Sequence, residues 1–147
     1  MFKHILLPID GSQLSEEAAE RAAVFARETQ ARITAFFVRE EYPAAWYGEA
    51  ALVDPSSPAD FNDATETQAR KHLARIAEIC QRVDVECNTL SEISGTVYQA
   101  VIDAANENGC DLIFMASHGR RGLSGFLLGS ETHKVLTHSK IPVLVYR

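Results

Sequence analysis

Residues 3–38 read KHILLPIDGSQLSEEAAERAAVFARETQARITAFFV, and the succession of patterns in this stretch decides the fold. Residues 3–9 are an apolar run of strand length, broken by Asp10, Gly11 and Ser12 as a turn. Ser12 or Ser15 is placed to cap a helix, with Glu16 and Glu17 in the first turn, where the helix dipole favours acidic side chains. Leu14, Ala18, Ala22, Phe25 and Ala26 recur at helical spacing and define an inward face. Residues 31–38 return to a strand pattern. Strand, helix and strand in that order form a crossover unit, the building block of a parallel sheet.

The same rhythm continues to the last residue. A long helix is expected over 62–82, with Ala69, Leu73, Ile76, Ala77 and Cys80 inward. Strand 85–90, helix 96–106 closed by Gly109, strand 111–116, a helix near 130–137 and a last strand over 142–146 follow. Only the segment from 40 to about 60 breaks the alternation. It holds Pro43, Trp46, Tyr47, Pro55 and Pro58 without a period, and reads as either a lid or a mobile connection. The fold expected is α/β: a doubly wound, Rossmann-like, five-stranded parallel sheet in the order 3-2-1-4-5. Helices cover both faces, in one domain over 1–147. In such sheets ligands bind outside the carboxyl ends of the strands, at the switch point.

Bulk properties narrow the partners. A chain of 147 residues suffices for one domain with a core that needs no staples. A net charge of −6 argues against a nucleic-acid partner, which asks for a basic face, and against an anionic membrane surface. The N-terminal apolar run is too short for a secretory segment or a membrane span. Cys80, Cys87 and Cys110 form an odd set with no CxxC, so three reduced, mostly buried thiols are expected. A cytoplasmic protein is the expectation.

Two loops fall at the expected ligand end, one at Pro8-Ile9-Asp10-Gly11-Ser12 and one after the fourth strand. The second reads ASHGRRGLSGFLLGSETHKVL from Ala116 to Leu136, with Gly119, Gly122, Gly125 and Gly129. Glycine lets backbone N–H groups approach a ligand closely. Ser130 is placed to cap the following helix, whose exposed N–H groups and dipole suit an anion. Arg120, Arg121 and Lys134 add local positive charge, and Ser130 and Thr132 add hydroxyls. Spacing alone fits a phosphate site and a sharp, packed turn equally well. No G-x-x-x-x-G-K-[ST], no G-x-G-x-x-G after the first strand, no G-x-S-x-G and no H-E-x-x-H is present.

Ala116-x2-Gly119-x9-Gly129-Ser130 resembles the nucleotide loop of the universal stress protein family, G-x2-G-x9-G-[S/T]. The N-terminal ILLPIDGS and the C-terminal KIPVLVY are similar to signatures of the same family, in the same order. The resemblance implies an adenine nucleotide ligand, ATP or else AMP or ADP, with or without Mg2+. It implies that Pro8, Ile9 and Val38 shape the adenine pocket and that Asp10 contacts the adenosine moiety. Met115, Ala116, His118 and Gly119 would border the ribose and phosphates, with Arg120 beside them. Gly129, Ser130, Glu131 and Thr132 would hold the outer phosphates. It also implies a homodimer through the last strand, and a stress or signalling role exerted through an unidentified protein partner.

Ala116 departs from the family pattern. If that position needs a left-handed backbone, its Cβ costs about 1–2 kcal/mol, roughly tenfold in affinity. If it merely ends the strand, the cost is small. Read on their own, Asp10 suits a ligand contact or the cap of a turn, and His118 a phosphate contact or a solvated loop. Trp46 and Tyr47 suit a lid over the adenine or a patch packed on the long helix. His133 and His138 are five apart and do not share a helix face, and His4 and His72 read as structural. Ser117 and Ser124 have no adjacent base with an orienting acid, so neither catalytic nor metal-binding residues are expected. Three functions follow: a nucleotide-binding signalling protein, a nucleotide-free interaction dimer, and a slow ATPase or adenylyl transferase.

Overall fold

The computed structural model describes residues 1–43, 57–119 and 128–147. Five strands form one parallel sheet: β1 (His4–Ile9), β2 (Arg32–Arg39), β3 (Cys87–Ile93), β4 (Leu112–Ala116) and β5 (Val143–Tyr146). Their spatial order is β3-β2-β1-β4-β5, the order expected from the sequence. The helices are α1 (Gln13–Thr29), α2 (Pro58–Arg82), α3 (Val97–Glu107) and α4 (Ser130–His138). Helices α1 and α2 cover one face and α3 and α4 the other.

Strand alternation sorts the core into two layers. Ile5, Leu7, Ile33, Ala35, Phe37 and Phe114 point to the α1/α2 side, where Ala18, Ala22, Ala26, Leu73 and Ile76 meet them. Leu6, Phe36, Ile113 and Met115 point to the other side, against Val101, Ala105 and Val135. The run of alanines in α1 lets that helix lie close to the sheet. On α2 the buried stripe includes Ile79, whereas Ala77, expected inward, is only half-buried.

Local chemistry sets the helix ends. Ser12 is the N-cap of α1, its Oγ accepting from Ser15 N at 3.2 Å. Gln30 closes α1 with a left-handed φ of 55°. Helix α2 starts four residues earlier than the sequence suggests, because Ser57 accepts from Asp60 N at 3.1 Å and Pro58 occupies the first helical position. Strand β3 lies at the sheet edge and runs later than expected, through Ile93. Asn88 and Thr89 face solvent, so its pattern is polar. Among the described residues no helix is long and apolar enough to cross a membrane.

Candidate functional site at the switch point

The sheet reverses its winding between β1 and β4, and there the strands part. β1 pairs with β2 over six positions, His4 to Ile9. With β4 the register stops at Leu6↔Ile113, although β4 continues to Ala116. Pro8 has no N–H to donate to a ladder, so pairing is not renewed beyond it. The β1–β4 ladder thus ends short of the carboxyl ends, and the loops that follow the two strands meet there.

Asp10 organises the first loop. Its Oδ1 accepts from Ser12 N at 3.0 Å and its own N–H donates to Ser15 Oγ at 3.2 Å. Gly11 follows with φ +80°, a left-handed backbone that favours glycine. A Cβ there would also meet the His72 ring at 2.5 Å. His72 stacks on Phe37 with centroids 5.7 Å apart and planes at 14°. The sequence reads His72 only as structural. Its position three residues after Ala69 and four before Ile76, on the rim of the inward stripe, is the signal that places it.

The second loop reaches the first through Gly119. A Cβ at that position would overlap Asp10 Oδ2, so the carboxylate of one loop lies against the bare Cα of the other. Gly129 closes the loop: its N–H donates to Ser117 O at 2.7 Å. A Cβ at Gly129 would stand 3.1 Å from His118 Cα and 3.2 Å from Ser117 O. His118 Nδ1 lies 3.1 Å from Ser117 Oγ, so the serine does have an adjacent imidazole. Ser117 is buried, however, and its own N–H donates to Tyr146 O at 2.7 Å, which ties the loop to the end of β5.

Ala116 is the last residue of β4, paired with Tyr146 in extended backbone. Among the described non-glycine residues only Gln30 and Asp84 have positive φ. The alanine therefore sits without strain where the loop pattern has glycine.

Strand parity brings Pro8, Val38 and Met115 to the α3/α4 face near the carboxyl ends. Ile9 and Ala116 instead point into the core beneath α1. Gly129, not Ser130, is the N-cap of α4, and no side chain caps that helix. Ser130 takes the first helical position with its side chain exposed. Thr132 is buried and donates its hydroxyl to Ala116 O at 2.9 Å, locking α4 to β4. Glu131 turns to α3, accepting from Tyr98 N at 2.8 Å, and pairs with Lys134 at 3.3 Å. Lys134 also lies 5.6 Å from the Tyr98 ring centroid. Arg120, Arg121, Gly122, Ser124 and Gly125 lie outside the described residues, as do Trp46 and Tyr47.

Arg39, at the end of β2, went unnoticed in the sequence. Its Nε is buried without a hydrogen-bond partner and its Nη1 stands 3.9 Å from Glu66 Oε2. Among the described residues no cluster of side chains is arranged to hold a metal ion.

A doubly wound α/β protein with two glycine-bearing loops meeting at its switch point is the class these features define. The universal stress protein family model matches residues 1–147. Universal stress protein A homolog 1 of Coxiella burnetii is 35% identical over 97% of this chain and 94% of its own length. Universal stress protein YxiE of Bacillus subtilis is 31% identical over the whole of both chains. The solved structure of MJ0577, a universal stress protein of Methanocaldococcus jannaschii, superposes with a TM-score of 0.81 at 25% identity, over 99% of this chain and 95% of that one. The chain belongs to the universal stress protein family. More distant solved members share its fold: a universal stress protein in complex with cAMP (TM-score 0.74, 19% identity) and an Arabidopsis thaliana member with AMP bound (TM-score 0.67, 15% identity).

Proposed function

We propose that this protein binds an adenine nucleotide, ATP foremost, in the crevice between the β1 and β4 loops. The reading takes residues 1–147 as one cytoplasmic domain that dimerises through β5 and signals stress to a protein partner. The observation that carries it is the meeting of Asp10 with Gly119 where β1 and β4 part. Two strand ends supply a carboxylate suited to ribose hydroxyls and, where the loops meet, a glycine without side-chain bulk. The cAMP and AMP complexes of distant members support the adenine class.

Pro8, Val38 and Met115 would line the base. The N–H groups at Ser130 and Glu131, with the exposed Ser130 hydroxyl, would take the phosphates at the start of α4. Thr132 and Glu131 would support them indirectly, by fixing α4 to β4 and α3. Arg120 would add charge to the outer phosphates. Mg2+, if present, would be held mainly by the phosphates. Binding rather than turnover is proposed, and Ser117, the one described serine beside an imidazole in this loop, is buried and so withheld from a role as nucleophile. At most slow phosphate release from ATP is the corresponding expectation.

Thermal unfolding with millimolar ATP, AMP and GTP, each with and without Mg2+, tests the proposal. A ligand at a hundred times its dissociation constant adds about 2.7 kcal/mol, several degrees for a domain of this size. An adenine-selective rise supports the site. No shift with any of the three would leave a dimer acting without nucleotide, a reading that the internal commitments of Glu131 and Thr132 favour.

A further inference from the structure

Two close approaches fix the Asp10 loop. Gly119 lies against its carboxylate, and α2 lies against its backbone through the His72 ring. A Cβ at Gly11 would meet His72 Cε1 and Nε2 at 2.5 Å and Cδ2 at 2.9 Å, so the ring abuts the bare Cα. What stands behind the ring is firm. It stacks on Phe37 at 5.7 Å between centroids, and Phe37 is buried in β2 beside Ile9, the last residue of β1. Nearly one turn further along α2, Arg75 donates through Nε to Glu16 Oε1 at 2.7 Å, with Nη2 2.7 Å from the same oxygen. That pair ties α2 to the first turn of α1, so ring and ion pair together bracket residues 11–16.

We propose, on the basis of the nucleotide reading above, that His72 is a positioning residue of that site. Its ring sets the height of the Asp10–Gly11 turn and so aims the Asp10 carboxylate at the ribose hydroxyls. Beside the ring, Gly11, Ser12, Ser15 and Ile76 border a hollow of about 20 Å³. Without the ring that hollow deepens and the turn has room to sink, as truncated sites relax into the space left to them. Asp10 Oδ1 accepts from Ser12 N at 3.0 Å within the same turn, so the carboxylate travels with it. Hydrogen bonds weaken steeply as donor and acceptor leave alignment, and the ribose contact is lost first. His72 acts through Asp10 and touches no part of the nucleotide itself.

ATP and 2′,3′-dideoxy-ATP, which lacks the ribose hydroxyls, separate this role from a merely structural one. Calorimetry gives both affinities for the full chain and for His72→Ala. The unsubstituted chain should prefer ATP by about tenfold, the worth of hydrogen bonds to a charged group. His72→Ala should cut that preference to about twofold, almost wholly by weakening ATP. A second measurement needs no ligand. In the nucleotide-free chain, His72→Ala should shift the amide resonance of Gly119, which only Asp10 links to the ring, while Asp84 and Gly109 at the far end of the sheet keep theirs. Unmoved Asp84 and Gly109 amides also show that the variant is folded. Equal weakening of both nucleotides, a preference that His72→Ala leaves intact, or an unmoved Gly119 amide would overturn the proposal. An unsubstituted chain that binds neither nucleotide would overturn the underlying reading as well, an outcome distinct from binding that His72→Ala does not alter.

Discussion

Gly119 carries no side chain, and Asp10 occupies the space one would fill. Gly119→Ala is therefore expected to force the two loops apart. Overpacking of this kind costs about 1–3 kcal/mol, readable as a lower urea midpoint, and ATP affinity should fall at least about tenfold. An unchanged midpoint and affinity would show that the loops do not meet as described. Ala116 makes the opposite case. Its backbone is extended and paired, so restoring the family's glycine relieves nothing. Ala116→Gly should cost about 0.5–1 kcal/mol of stability and leave ATP affinity within about twofold. A large gain in affinity by calorimetry would refute the unstrained reading. The sequence posed this question without deciding it, because φ at a strand end is set by the partner strand. Here that partner is Tyr146, thirty residues on.

At the scale of elements, legibility followed whether the determining contact is local. The start of α1 was readable because Ser12 and its acceptor geometry lie within three residues. Ser57-Pro58 is an equally local signal for α2, but it sits in a segment without a period, so the helical pattern becomes legible only from residue 62. The start of α3 was different. Thr96 makes no side-chain cap, and the carboxylate that does the work is Glu131, from α4. Spacing cannot reveal a cap delivered from 33 residues away. Glu131→Ala should cost about 1 kcal/mol, as other lost caps do, seen as a fall in urea midpoint at constant slope. A midpoint unchanged in Glu131→Ala would mean that Tyr98 N finds another acceptor at no cost. For the candidate site, the strand ends and both glycines at 119 and 129 were legible. The committed hydroxyl of Thr132 and the His72 ring over Gly11 were not, since both depend on which helix lies above which loop.

For the whole molecule, the amino ends of the strands set the response to acid. His4 is buried, with Nε2 2.8 Å from Thr34 Oγ1 and Nδ1 3.3 Å from Arg32 Nη2. Burial first, then Arg32, lowers its affinity for a proton. The unfolded chain then binds the extra proton as pH falls through about 6.5, so stability should decline from that pH downward. His4→Gln should flatten this limb of a pH–stability profile; an identical slope would assign it elsewhere. Asp111 acts lower. Burial alone would raise it, but backbone N–H groups of His4, Lys3 and Asp111 itself outweigh that and hold it below its ordinary value. Its contribution is complete above about 3.9 and is lost as pH falls further, through the folded value.

We place an adenine nucleotide at the carboxyl end of the sheet, between the β1 and β4 loops. Amide chemical shifts of the labelled chain, followed while ATP is added, test it most directly. Saturable shifts are expected at Gly11, Gly119, Gly129 and Ser130, with Asp84, Glu86 and Gly109 at the opposite end unmoved. Shifts confined to that opposite end, or none at saturating ATP, would contradict it.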